Sequence, residues 1–260
     1  MQIGLGHFTF LHLPPVALVR LARQVGFGFV GLRFHPVAEG LPHWLPSPGE
    51  LAELRQVMQG EGIALYDIET VVLGETFDPQ AVCPAMDAAA NLGGQRVNVC
   101  ADVFPGLTDR FAQLCALAEE RGLGVDIEPM RWRGVNTPAA CRALLVESGA
   151  SNAAYLVDTL HHSRCGGTVA EIAAAPVRSA QICDAPAQAP ATPEGLLTEA
   201  REGRLLPGDG GLPLQDILAA LPPGTVLSVE LPNAAAGDDL ERARAIHAAT
   251  AALLKDLAHA

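Results

Sequence analysis

Short apolar, β-branched runs alternate with longer stretches of helical period from one end of this chain to the other, and that alternation constrains its fold most. The runs are Gln2 to Gly6, Phe29 to Phe34, Ile63 to Glu69, Gln95 to Cys100, Gly124 to Glu128, Ala154 to Asp158, Arg178 to Ile182 and Thr225 to Glu230. Repetition of this kind predicts βα units around a parallel sheet. The chain has 260 residues, 49% of them apolar, enough to bury a full core. Eight strands and about eight helices match the size of one α/β domain over residues 1–260, a (β/α)8 TIM barrel. A doubly wound open sheet fits less well, because no glycine-rich dinucleotide loop follows the first run.

Helix starts are marked where first-turn amides need acceptors. Ser47-Pro48-Gly49-Glu50 and Thr168-Val169-Ala170-Glu171 have the spacing of a capping box. Asp78-Pro79 and Thr137-Pro138 place a cap before a proline at the first helical position. From Thr108, residues Phe111, Leu114, Cys115 and Ala118 share one face, and Gly122 supplies a left-handed stop. The seventh and eighth runs are separated by a long stretch that includes the alanine- and proline-rich segment Ala185 to Pro193. We read residues 183–212 as a loop forming a lid over the barrel mouth, since long connections in compact domains are usually functional or disordered.

Charge narrows the partners. Asp and Glu total 29 against 17 Lys and Arg, a formal net charge of −12. Nucleic acid and anionic membranes both select for cationic surfaces, so neither is expected as a partner. The sole lysine is Lys255, near the end of a terminal helical stretch, which excludes Schiff-base and pyridoxal phosphate chemistry in a pocket. No two of the six cysteines are close enough for a CxxC pair, and no apolar run approaches the roughly 18 residues of a membrane span. The start, MQIGLGHFTF, lacks the form of a signal peptide. A cytoplasmic protein with reduced, buried thiols is expected. Leucine-rich helix faces would serve equally to pack on the sheet or against a second copy in a homo-oligomer.

Active-site residues of a barrel lie where its strands end, at the C-terminal face. Here the late strands carry polar residues at or near that end: Glu128, Asp158, Gln181 and Glu230. Three carboxylates brought together would repel and pay a desolvation cost, so a positive group must accompany them. Oxygen donors suit a hard cation, Mn2+ or Mg2+, better than zinc. Pairing with arginines is the other solution.

The order Glu128, Asp158 with His161 three residues on, Gln181, then Glu230, together with Pro207-Gly208-Asp209-Gly210, resembles the xylose isomerase-like TIM barrels. That superfamily includes ketose 3-epimerases, hydroxypyruvate isomerase, inosose dehydratase, 3-dehydroshikimate dehydratase and endonuclease IV-type enzymes. The resemblance implies that Glu128, Asp158, Gln181 and Glu230 ligate one divalent metal, and that His161 contacts substrate hydroxyls or a developing oxyanion. It also implies that Glu128 and Glu230 exchange the substrate proton from opposite faces. Gln181 departs from the histidine of many sugar isomerases, and a glutamine occurs in the dehydratase branch.

The reaction expected is isomerisation or epimerisation of a small sugar or keto-polyol by α-proton abstraction through a metal-stabilised enediolate. Dehydration of a keto-inositol or a 3-dehydroshikimate-like compound is the alternative, and a non-catalytic barrel or an endonuclease are the outliers. His7, Arg33, Glu69, Trp132 and Arg204 are candidate substrate contacts, Arg204 as a bidentate clamp on a carboxylate or oxyanion. Gly208, Gly210 and Gly211 could cradle a phosphate, but Asp209 opposes it and no lysine assists, so an unphosphorylated polyol, keto sugar or small keto acid is favoured. His162, His247 and His259 read as surface residues.

Overall fold

The computed structural model describes residues 2–233 and 237–257. Eight parallel strands, β1 (Ile3–Leu5), β2 (Phe29–Leu32), β3 (Ala64–Leu73), β4 (Arg96–Ala101), β5 (Gly124–Ile127), β6 (Ala153–Asp158), β7 (Val177–Ile182) and β8 (Val226–Val229), pair in chain order. The barrel closes through β1 on β8, with Ile3 opposite Leu227 and Leu5 opposite Val229. Helices on the outside bury their apolar faces against the strands. Leu18, Val19 and Ala22 of helix Pro15–Val25, and Phe111, Leu114, Cys115 and Ala118 of helix Leu107–Glu119, are all buried. Each large apolar side chain so placed contributes roughly 1.5–3 kcal/mol. Among the described residues no helix is long and apolar enough to cross a membrane.

The local signals act as their chemistry requires. Ser47 N–H donates to Glu50 Oε2 at 2.8 Å and Ser47 Oγ accepts from Glu50 N–H at 3.5 Å, starting helix Pro48–Glu61. Thr137 Oγ1 accepts from Ala140 N–H at 3.1 Å before helix Pro138–Ser148. Asp78 caps a 3-10 turn, Pro79–Val82, and the α-helix itself begins at Cys83.

Several sequence expectations need correction. β3 runs past Glu69 to Leu73, because Thr70-Val71-Val72-Leu73 continues the apolar run and Val71, Val72 and Leu73 still pair with β4. β2 stops at Leu32, so Arg33 lies just beyond its end. The stretch 183–212 is not only loop: Thr192 Oγ1 accepts from Gly195 N–H at 3.1 Å and opens helix Pro193–Glu202. His162 is buried rather than exposed, with Nδ1 2.9 Å from the Tyr155 hydroxyl. His247 is half-buried edge-on against Phe27, and His259 lies outside the described residues.

The barrel interior is polar as well as apolar. Asp67 accepts from Asn98 Nδ2 at 3.1 Å, and Asp126 accepts from Ser179 Oγ at 2.7 Å and from Arg96 Nε at 3.0 Å. Glycine at position 31 leaves room for this layer, since a Cβ there would lie 2.2 Å from Asp67 Oδ1 and force that carboxylate to move.

Candidate active site

At the C-terminal ends of the strands a small cavity of about 70 Å³ is lined by Arg33, Glu128, Trp132, His161, Arg204 and Glu230, with Phe8, Cys100, Met130 and Arg133 among its other walls. Broader clefts lie beside Trp44 and around Arg96 and Arg178 at the opposite end, and hold none of the sequence-predicted residues. Glu128 and Glu230 directly follow β5 and β8, whereas Asp158 is the last residue of β6 and also the N-cap of the short helix Thr159–Arg164. Asp158 Oδ1 accepts from His161 N–H at 2.8 Å. That bond turns the three-residue spacing of Asp158 and His161 into a fixed geometry.

Arg204 sits at the centre of this group, fully buried. Its Nη1 donates to Asp158 Oδ2 at 2.6 Å and to the Glu230 carbonyl at 3.0 Å. Its Nη2 donates to Glu230 Oε1 at 2.9 Å and lies 3.3 Å from His161 Nε2. The guanidinium that the sequence suggested as a substrate clamp therefore already holds two of the chain's own acids. Gln181 Nε2 donates to the remaining Glu230 oxygen at 2.9 Å.

Asp184, which sequence reasoning did not single out, puts Arg204 in place. Its carboxylate accepts from the backbone N–H groups of Ala185, Gly208, Gly210 and Leu212 at 2.8–3.1 Å. The strand-like pairing of Asp184 with Leu205 fixes the residue beside Arg204. Gly210 is needed there, because a Cβ would fall 2.4 Å from Asp184 Oδ1 and 2.3 Å from the Ala185 carbonyl. The signal was an acid three residues after Gln181 followed by a glycine-rich turn, which a backbone-amide nest requires.

Electrostatics differ sharply around the ring. Burial, reinforced by repulsion from Glu230 and Asp158, raises the Glu128 carboxyl well above the usual range. Burial also lifts Glu230, to about 8, against the pull of Arg204. Burial pushes Asp158 the same way, but Arg204 and His161 outweigh it and hold its carboxyl below the ordinary value. Burial lowers His161 to about 4, so its imidazole is neutral near pH 7. Glu69 accepts from Phe8 N–H at 2.6 Å, is raised by burial, and neighbours Glu230.

Two sequence candidates differ in character from the rest. His7 is buried with Nδ1 accepting from Arg33 N–H at 3.0 Å and Nε2 donating to the Leu13 carbonyl at 2.9 Å. Neither ring nitrogen is left for a ligand, so His7 braces the start of the loop after β2. Trp132 is half-buried and packs edge-to-face on His161, with ring centroids 5.3 Å apart, as an apolar wall.

A divalent cation fits the donors present. Glu128, Asp158 and His161 each offer one ligand atom within 4.8 Å of the others. Glu128 Oε2 and Gln181 Oε1 are buried without a hydrogen-bond partner, the condition of oxygens that lack their Lewis acid.

A family model described as xylose isomerase-like TIM barrel matches residues 19–256. No curated protein matches the chain. Among solved structures, the IolI protein with a bound zinc atom superposes with a TM-score of 0.75 at 20% identity, over 99% of this chain and 98% of that one. D-psicose 3-epimerase from Clostridium cellulolyticum H10, solved with D-tagatose, gives 0.73 at 13% identity and 99% of both chains. The probable 3-DHS dehydratase AsbF from Bacillus anthracis gives 0.72 at 13% identity, over 96% of this chain and 99% of that one. The chain also spans 43% of a xylose isomerase-like TIM barrel/4-hydroxyphenylpyruvate dioxygenase fusion protein, with 99% of this chain covered, a TM-score of 0.80 and 20% identity.

Proposed function

The chain belongs to the xylose isomerase-like TIM barrel family, and from that premise we propose that it is a divalent-metal-dependent isomerase or epimerase of a small hydroxy ketone. The observation that carries the reading is the unpartnered Glu128 carboxylate, buried on the same cavity as Glu230 and grouped with Asp158 and His161. Glu128, Asp158, Gln181 and Glu230 would hold Mn2+ or Mg2+, with His161 beside them. A bound dication would polarise the substrate carbonyl and stabilise the negative charge that develops as the α-proton leaves.

The chain's own groups divide the remaining work. Glu128, without a hydrogen-bond donor to weaken its basicity, accepts the proton. Glu230, oriented by Arg204 and Gln181, returns a proton to the other face or the adjacent carbon. Neutral His161 faces the cavity to orient a hydroxyl, and Trp132 keeps bulk water from that side. Free thiols at all six cysteines, five of them buried, fit a cytoplasmic setting.

Incubation with Mn2+ and a panel of keto sugars and inososes in deuterated water, followed by proton NMR, tests the reading. Solvent deuterium should enter the α-position of one substrate and should be lost in Glu128→Gln and in Glu230→Gln. Full exchange in both variants would remove the assignment. Dehydration is the second reading, favoured by Gln181 and by the guanidinium-rich cavity wall. It would be recognised by a conjugated, ultraviolet-absorbing product.

A further inference from the structure

Arg33 differs from the other deeply placed arginines. Arg96 pairs with Asp126, Arg164 with Glu199 at 2.8 Å, and Arg204 with Asp158 and Glu230. Arg33 is only 5% exposed, yet among the described residues no carboxylate lies within 4 Å of it, and its Nε has no hydrogen-bond partner. The guanidinium carbon stands 4.4 Å from the centre of the Phe8 ring, which supports its flat face and leaves its nitrogens to the cavity. Its backbone is anchored through His7 Nδ1. Glu69, which feels its charge, gives Oε1 to Phe8 N–H and does not pair with it.

A guanidinium withdrawn from water without an acceptor is costly, and such a cost persists where a ligand repays it. A planar fork stacked on an aromatic ring matches a carboxylate, which accepts two parallel N–H bonds. On the same cavity Arg133 already pairs with Asp102 through Nη1 at 3.1 Å, and Arg201 is exposed, which leaves Arg33 as the buried cation facing a ligand. A neutral polyol would leave Arg33 without a partner for its charge. We propose that the substrate is a small hydroxy-keto acid whose carboxylate is held by Arg33, with the reacting carbons toward Glu128 and Glu230. This names the substrate class for the proton-transfer reading above and rests on it.

Isothermal titration with gluconate, its neutral counterpart sorbitol, and inorganic phosphate tests the assignment, with and without Mn2+ and with EDTA in the metal-free arm. Gluconate should bind in both arms, at least about 10-fold more tightly than sorbitol or phosphate. Arg33→Met should weaken gluconate by about 10- to 100-fold and leave the Mn2+ isotherm unchanged, with Arg33→Lys recovering part of the loss. Equal affinity for sorbitol in the wild-type protein overturns the proposal without any variant. So does tighter binding of phosphate, or gluconate affinity unchanged in a folded Arg33→Met. Loss of Mn2+ binding with Arg33-dependent gluconate binding retained would strike the metal reading and leave the carboxylate site standing.

Discussion

Arg204 Nη1 and Asp158 Oδ2 are 2.6 Å apart, and the same guanidinium reaches Glu230 Oε1 at 2.9 Å. One cation from the β7–β8 connection thereby sets the spacing of acids delivered by β6 and β8. It leaves Glu128 with a buried oxygen that no donor reaches.

Removing that cation should be expensive. Arg204→Met leaves Asp158 and Glu230 buried beside each other without a counter-charge, and breaking a buried pair of this kind costs about 3–5 kcal/mol. Urea denaturation at pH 7 should show the loss. Arg204→Lys should recover only part of it, because an ammonium cannot span both acids in one plane. An unchanged midpoint for Arg204→Met would contradict the central position given to it.

Asp184 makes a separate prediction. Asp184→Ala deprives the N–H groups of Gly208, Gly210 and Leu212 of their shared acceptor. A destabilisation of about 2–4 kcal/mol is expected, together with new proteolytic cleavage between residues 203 and 212. Cleavage confined to other segments would show that the turn is held by something else.

Gln181→His should alter metal preference. It replaces an amide oxygen by an imidazole nitrogen in the ring, which favours zinc over manganese. Equilibration with equal Mn2+ and Zn2+, followed by elemental analysis, should give a higher zinc fraction for the variant than for the wild type. Identical ratios would place Gln181 outside the ligand set.

Asp67 makes folding depend on pH. Burial, opposed by its bond from Asn98, raises its pKa to about 7, well above its value in an unfolded chain. With the folded value the higher one, the stabilising contribution is complete below about pH 4 and is lost as pH rises to about 7. Asp67→Asn keeps an acceptor for Asn98 and removes the charge. It should be more stable than wild type at pH 8, by on the order of 3 kcal/mol, with the difference shrinking toward pH 4. Parallel stability curves across that range would refute the titration.

Most of the barrel is legible in the residue pattern, because apolar runs and caps are local signals. Glu128, Asp158 and Glu230 lie at or just beyond strand ends, so their convergence follows from topology alone. The role of Arg204 does not, since the contact with Asp158 spans 46 positions and depends on a turn built around Asp184. The helix at Pro193 was announced by Thr192-Pro193, the same signal as Thr137-Pro138, but the surrounding alanines and prolines suggested a structureless lid. His7 shows the converse difficulty. A histidine after the first strand reads as a pocket residue until its two nitrogens are found on backbone partners.

The antiparallel bridge between Asp184 and Leu205, with Gly211 N–H on the Ala185 carbonyl, gathers both ends of an excursion at its root. Residues 186–203 thus behave as a cassette plugged into a rigid socket. Exchanging that cassette for one of different length or chemistry would redraw the rim of the cavity while the socket kept its electrostatic keystone, which makes it the natural place for this scaffold to acquire new selectivity.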